Sequence, residues 1–268
     1  MAGYFGTETQ QRLQARAEEN AAFISATPGA CQAGRMMSCD DPDLLGWPQI
    51  DAFLARDGVC GFRLIPAETV DDLKARLAER DYRLDTWDVF LGTRETALAA
   101  SEAILARGLP EGLTDLAGPD DPEGADTVRI QSLMAGAGVV PFSGSLLTGA
   151  AGPALTVVIG KRGDKGDGDI VATAHGYLPH NAHSPFHRYA WGGLVAVAES
   201  ERGKGLGKHV NARMVRGVFR DLGATHVYEL VSATNITSRC MVEACGLSIE
   251  PGLVCGIATP SGGARFTR

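Results

Sequence analysis

Three glycines, Gly203, Gly205 and Gly207, alternate with Lys204 and Leu206 in the stretch ESERGKGLGKHV (199–210), between an apolar run and a helix-like one. A turn that bare at the start of a helix exposes several backbone N–H groups with no side chains in the way, and the helix dipole adds partial positive charge. Such a turn suits phosphate. Two common phosphate seats fail on spacing. A dinucleotide fingerprint would need glycine where Lys208 stands and a carboxylate ending the next strand, which instead runs on through Val231. A triphosphate loop would need four residues between its glycines and Ser or Thr after its lysine, whereas Gly203 and Gly207 enclose three and His209 follows Lys208. The pattern that fits is R-x-x-G-x-G, carried by Arg202, Gly205 and Gly207 after an apolar strand ending in Val195 and Val197.

A second set of reactive types lies just upstream. HGYLPHNAHSPFHRY places His175, His180, His183 and His187 in and after one strand. Imidazole, with a free pKa of about 6.5, can remove a proton near neutrality, and His183 and His187 are the first candidates for a general base. Glu229, on the strand after the glycine turn, is the next. The histidine spacing in a Pro-bearing loop is not the i, i+4 helical pair of a zinc enzyme, so no metal is expected. The six cysteines contain no C-x-x-C pair and read as reduced, packed thiols.

The elements that must hold these residues can be read from periodicity. Thr7 to Ala26 reads as a polar helix, Gly58 to Ile65 as a strand, Thr69 as the cap of a helix reaching Tyr82, Thr86 to Gly92 as a strand and Arg94 to Gly108 as a helix. LPEGLTDLAGPDDPEGAD (109–126) is rich in Gly, Pro and Asp and reads as a linker. The expected division is 1–115 and 116–268. A helix follows from Ala125, then strands at Ala154 to Gly160 and Ile170 to Leu178 around a turn at Lys161 to Asp169, and a strand at Tyr189 to Ala198. Beyond the glycine turn, Leu206, Val210, Met214, Val218 and Leu222 recur at helical spacing. Thr225 to Val231 is the next strand, Asn235 caps a short helix ended by Gly246, and GLVCGIAT (252–259) closes as a strand.

In this context R-x-x-G-x-G resembles the coenzyme A-binding motif of the GNAT superfamily of acyl-CoA N-acyltransferases. The resemblance covers roughly Asp126 to Thr259, with NITSRCMVEACGL (235–247) as the family's Asn-started helix. It implies an α/β fold, with a mixed, mostly antiparallel sheet flanked by helices and a smaller N-terminal α/β domain. It also implies acetyl-CoA as cosubstrate and transfer of the acetyl group to an amine in a ternary complex. By the same resemblance the backbone of Val195 and Val197 holds the pantetheine arm. The segment Arg202, Gly203, Lys204, Gly205, Leu206, Gly207, Lys208 cradles the pyrophosphate, and Asn235 and Ser238 approach the pantetheine or the sulfur. Lys208, Arg213 or Arg216 could meet the 3′-phosphate. The sequence departs from the family at two catalytic positions. Val242 stands where a Tyr often serves as general acid, with Tyr228, Ser238 and Cys240 as nearby substitutes, and the strand YAWGGLVAVA (189–198) lacks the Glu that some members use as base.

Charge separates the halves. Residues 1–150 carry 12 Lys and Arg against 23 Asp and Glu, a balance of −11, whereas residues 151–268 carry 13 against 9, a balance of +4. A small anionic ligand on the second half is consistent with this, an acidic first half would favour cationic acceptors, and nucleic acid is not an expected partner. With no long apolar run, the chain reads as cytoplasmic, without a membrane partner. A small-molecule amine is the expected acceptor, its pocket walled by Trp191, Phe186 and Tyr177. A protein or peptide amine, or a non-catalytic acyl-CoA sensor, are the alternatives, and whether Thr7 to Ala26 mediates a homodimer is left open. Finally, LKARLAERDYRLDTWDVFLGT (73–93) and SRCMVEACGLSIEPGLVCGIAT (238–259) share a helix-then-strand pattern, the mark of a degenerate second copy of the fold that would bind no coenzyme, or of an unrelated pair.

Overall fold

A computed structural model describes residues 3–161 and 168–263, so most of the turn expected between Lys161 and Asp169 lies outside the described residues. The first expected helix opens on a capping box of Thr7 and Gln10 and is divided into α1 (Glu8–Glu19) and α2 (Ala21–Ala26). Asn20 divides it because its side-chain amide donates to the Arg16 carbonyl (2.7 Å), competing with the helix. A region without a sequence expectation then supplies β1 (Ala30–Gln32), β2 (Met37–Cys39), α3 (Pro42–Leu45) and α4 (Trp47–Asp57).

Next come β3 (Cys60–Pro66), α5 (Val70–Ala78), β4 (Tyr82–Thr93) and α6 (Arg94–Leu105), near the expected positions. The Gly- and Pro-rich stretch after α6 is not wholly irregular: it holds β5 (Leu113–Leu116), hydrogen-bonded as the edge strand of the sheet. The remaining elements are α7 (Ala125–Gly136), α8 (Gly144–Leu147), β6 (Ala154–Lys161), β7 (Ile170–Tyr177), β8 (Tyr189–Val197), α9 (Leu206–Arg220), β9 (His226–Val231), α10 (Ile236–Ala244) and β10 (Ser248–Pro260). The last strand begins at Ser248, before the Gly252 expected, because its first residues pair with Leu91 and Phe90 of β4.

Among the described residues ten strands join one mixed sheet in the order β1-β2-β3-β10-β4-β9-β8-β7-β6-β5. Two neighbouring pairs are parallel, β2 with β3 and β8 with β9, and the rest are antiparallel. From the β10–β4 junction outwards the order reads alike in both directions. In the first half, β2, α4 and β3 form a parallel crossover, and the chain continues through α5 to β4. The second half repeats this with β8, α9 and β9, then α10 and β10. The final strands are exchanged: β4 lies beside β9, and β10 lies between β3 and β4. The helix-then-strand similarity seen in sequence therefore falls on α5–β4 and α10–β10.

The apolar stripe of α9 packs as its spacing predicts, with Leu206, Val210, Met214 and Val218 buried beside Val171, Ala174 and Ala190 of the sheet. Burying each side chain of this size contributes about 1.5–3 kcal/mol. Gly192 lets the helix approach β8, since a Cβ there would stand 2.4 Å from the Met214 Cε.

Candidate active site

Strands β8 and β9 are paired only from Tyr189 opposite His226 to Gly192 opposite Glu229. Beyond that they part. β8 continues to Val197 held by β7, and β9 continues to Val231 held by β4. Between them the backbone from Gly193 to Val197 has no strand partner on this side, leaving hydrogen-bonding groups for a ligand.

A bulge shapes the same stretch. Thr173 and His175 of β7 face Ala196 and Gly193, so Leu194 and Val195 together oppose Ala174, and Leu194 takes φ +51°. The extra residue reverses the strand's alternation. Val195 and Val197 consequently join Ala190 on the α9 side, while Leu194 and Ala196 share the other side with Trp191. A non-glycine residue held at positive φ costs about 1–3 kcal/mol, which the pairing with β7 sustains here.

After β8 comes the glycine turn. Gly203 (φ +80°) and Gly205 (φ +81°) are both left-handed, and a Cβ at either would meet nothing within 4 Å. Gly205 is the N-cap of α9 and offers no side-chain cap, so the first-turn N–H groups stay available. A groove of about 480 Å³ lies here, lined by Val195, Val197, Arg202, Gly203 and Gly205, by Leu206, Gly207 and Lys208 at the start of α9, and by Ser238. Lys204 turns aside to the Glu201 carboxylate (2.8 Å). Arg213 is tied to Asp115 (2.8 Å) and Arg216 faces a different groove beside β6, which leaves Lys208 as the helix cation at this site.

The groove runs into a second cavity of about 330 Å³, and Ala137, Val195, Ser238 and Met241 line both. Glu229 is there, 3% exposed, its Oε1 accepting from Asn211 Nδ2 (2.8 Å). Burial raises its carboxyl to about 7, against a smaller opposing effect of the Asn211 hydrogen bond. Asn235, which caps α10 by accepting from the Ser238 N–H (3.1 Å), lines the cavity as well. Buried Val242 occupies the wall where the family resemblance leads one to look for Tyr.

His183 and His187 are exposed and line neither space; His187 Nδ1 sits 3.1 Å from the Ser184 carbonyl. The sequence could not show that their loop folds away from the parting strands. His180 is buried instead, with Nδ1 2.7 Å from Asp40 Oδ2 and Nε2 3.2 Å from the Tyr228 hydroxyl. Burial lowers its imidazole, with Asp40 opposing. His175 is buried too, and burial lowers it to about 3. Cys31, Asp40 and His180 bring potential metal-ligating atoms within 4.8 Å of one another. Both His180 nitrogens already have protein partners, and burial pushes the Cys31 thiol well up, with Asp40 adding to it. Of the substitutes for the general acid, Tyr228 is engaged with His180, Cys240 is exposed, and Ser238 reaches the cavity. Trp191 walls the cavity, whereas Phe186 lines a separate cleft and Tyr177 is packed behind Trp191 (5.5 Å between rings).

The first half contributes Arg35, Arg63 and Trp87 to the cavity. No motif announced them, and its net acidity argued for the opposite sign of charge. The sequence leads one to expect acidic side chains from that half facing the cleft; what it places at this cavity is guanidinium.

Residues 148–247 match the model of the acetyltransferase (GNAT) family. They form a GNAT domain. The fold of nearly the whole chain is shared with solved structures at low identity. A GCN5-related N-acetyltransferase from Kribbella flavida is 17% identical, with a TM-score of 0.57 over 94% of this chain and 96% of that one. A Drosophila protein is 15% identical, with a TM-score of 0.60 over 95% and 90%. A tandem GNAT protein from the clavulanic acid biosynthesis pathway is 12% identical, with a TM-score of 0.53 over 93% and 89%. No curated protein matches the sequence. Acyl transfer is the chemistry of the GNAT family, and α9 lies within the matched residues. Where the GNAT domain has Arg202 to Gly207 between β8 and α9, the first half has Asp40 to Gly46 between β2 and α4, with Asp40, Asp41 and Asp43 and no R-x-x-G-x-G. Among the described residues no helix is long and apolar enough to cross a membrane.

Proposed function

We propose that the protein is an N-acetyltransferase that moves the acetyl group of acetyl-CoA to the amine of a small molecule. The observation that carries this reading is the continuity of the glycine-turn groove with the cavity that holds Glu229, through shared walls at Val195 and Ser238. The N–H groups from Arg202 to Lys208 hold the pyrophosphate, and the unpaired edge of β8 at Val195 and Val197 holds the pantetheine arm. Asn235 and Ser238 flank its end. The coenzyme seat belongs to the second half alone, since acidic Asp40 to Gly46 would repel phosphate.

Glu229, its carboxyl raised to about 7 by burial, takes a proton from the bound ammonium. The neutral amine attacks the thioester carbonyl, and a backbone N–H at the β8 bulge stabilises the oxyanion. Collapse expels thiolate, which at a thiol pKa of about 8.5 leaves without an obligatory proton donor and takes up the proton that the acylated nitrogen sheds. This makes Val242 tolerable in place of Tyr. The size of the cavity, about 330 Å³ with walls from both halves, favours a small acceptor over a protein chain. The lost Tyr position favours one second reading, a binding module without turnover.

Calorimetric titration with acetyl-CoA, followed by thiol release with pooled amines, tests the proposal. Micromolar binding with amine-dependent thiol release supports a transferase. Binding without release from any pool supports the second reading, and no binding removes both.

A further inference from the structure

Three residues that line the cavity beside Glu229 carry buried side-chain atoms without a hydrogen-bond partner among the described residues: Arg35 Nε, Arg63 Nε and Nη1, and Trp191 Nε1. All four are N–H donors. Buried donors are nearly always satisfied, and an unpaired buried guanidinium is far more costly than an unpaired amide. Arg63 is only 6% exposed. Arg35 reaches the Val140 carbonyl through Nη1 (3.0 Å) and lies over the Phe142 ring, which leaves its Nε unused.

Neither arginine has a carboxylate partner among the described residues, and the neutral thiol of Cys255 is what stands against Arg63. The buried acidic residues among the described residues are Asp40, Glu201 and Glu229. Asp40 pairs with His180, Glu201 with Lys204 and Lys161, and Glu229 with Asn211. The two cations also feel one another: burial lowers the Arg35 guanidinium to about 10, and the charge of Arg63 adds to the effect. At neutral pH both remain charged. The rest of the wall includes Trp87, Val139, Val140 and Ile257, so the donors stand among apolar surfaces.

From this we infer that the acceptor is an amine that also carries a carboxylate, an amino acid-like molecule whose carboxylate is held by Arg63, Arg35 and Trp191 while its amine faces Glu229. A guanidinium fork matches a planar carboxylate in a way that a lone ammonium would not. One carboxylate would satisfy both the two guanidinium charges and the unpartnered donors. Trp87 and Ile257 suit an apolar or aromatic body on that substrate. This deepens the transferase reading and rests on it for the word acceptor, but the anion site can be tested without turnover.

The test uses the full chain with coenzyme A present and matched pairs of ligands by calorimetry. Phenylalanine, leucine and tryptophan are compared with phenethylamine, isoamylamine and tryptamine, and with their aminophosphonate counterparts. The carboxylate-bearing member of at least one pair should bind on the order of 100-fold or more tighter than its decarboxylated partner. Arg63→Met should abolish that preference while leaving acetyl-CoA affinity unchanged, because Arg63 does not line the coenzyme groove. Removing an unpaired buried charge should also raise the melting temperature of the free protein by about 5 °C, and the carboxylate should no longer stabilise the variant. Arg35→Met should weaken the preference in the same direction.

Equal binding of the decarboxylated amines, a preference for the phosphonates, no binding of any carboxylate in the panel, or an Arg63→Met protein that melts lower yet keeps the preference would each overturn the inference. Carboxylate binding without thiol release would sustain it while removing the transferase reading.

Discussion

Replacing Glu229 by Gln should separate the catalytic and energetic consequences of one buried carboxyl. Gln keeps the shape and can still accept from Asn211 Nδ2, so the 2.8 Å contact survives. What disappears is the titration. In the unfolded chain this carboxyl ionises near 4.5, and in the folded protein near 7. Below the first value it is neutral in both states and burial costs little. As pH rises through the second, the folded protein must carry a buried charge, and stability is lost. The interval is worth about 3 kcal/mol at 1.36 kcal/mol per pH unit. For a chain of this size that corresponds to about 6–10 °C in melting temperature. The melting temperature of Glu229→Gln should therefore match the wild type near pH 4.5 and exceed it increasingly up to pH 8, read by differential scanning calorimetry. With a substrate in hand, kcat/KM should fall by about 10²–10⁴, and the wild-type rise of activity through pH 7 should vanish. A melting difference that does not change with pH would refute the argument that this carboxyl titrates near neutrality.

Other changes probe separate parts of the site. Gly205→Glu places a carboxylate at the open left-handed N-cap of α9 and should weaken acetyl-CoA binding by about 100-fold or more, measured by calorimetry, with a stability cost of about 1 kcal/mol. Val242→Tyr puts a larger ring into a fully buried wall, so it should lower stability by about 1–3 kcal/mol and reduce thiol release; a more active variant would show that only the missing acid limits the enzyme. Asp40→Ala strands the His180 Nδ1 in the interior and should lower stability by about 1–3 kcal/mol in urea unfolding, with little change in acetyl-CoA affinity.

Much of the second half could be read from its residues because its signals are local. Alternation along β8, the stripe on α9 and the cap at Asn235 each depend on neighbours within a few turns of chain. The glycine turn carried its own explanation in backbone conformation. The bulge at Leu194 had no such signature, since Leu at positive φ is imposed by pairing with β7. Nor could the sequence show that His183 and His187 face solvent, because Pro-bearing loops are placed by what they dock against. Arg35 and Arg63 lie more than 120 residues before the strands they face, and net charge misled there because most of the acidic residues sit on the outside of the first half. β1, β2 and β5 are too short for periodicity to declare them.

The exchange of β4 and β10 has a consequence for how the molecule comes into being. During synthesis β3 and β4 emerge long before residues 248–260, yet their shared neighbour is β10. Until that strand arrives, both present unpaired edges, and β4 can pair only after β9 has also emerged. The sheet cannot close half by half as the chain leaves the ribosome; its centre is completed by β10, a high contact-order step of the kind that slows folding. Once closed, neither half can loosen without stripping a strand from the other, so opening should be cooperative across the whole sheet and appear in hydrogen exchange as one protected unit.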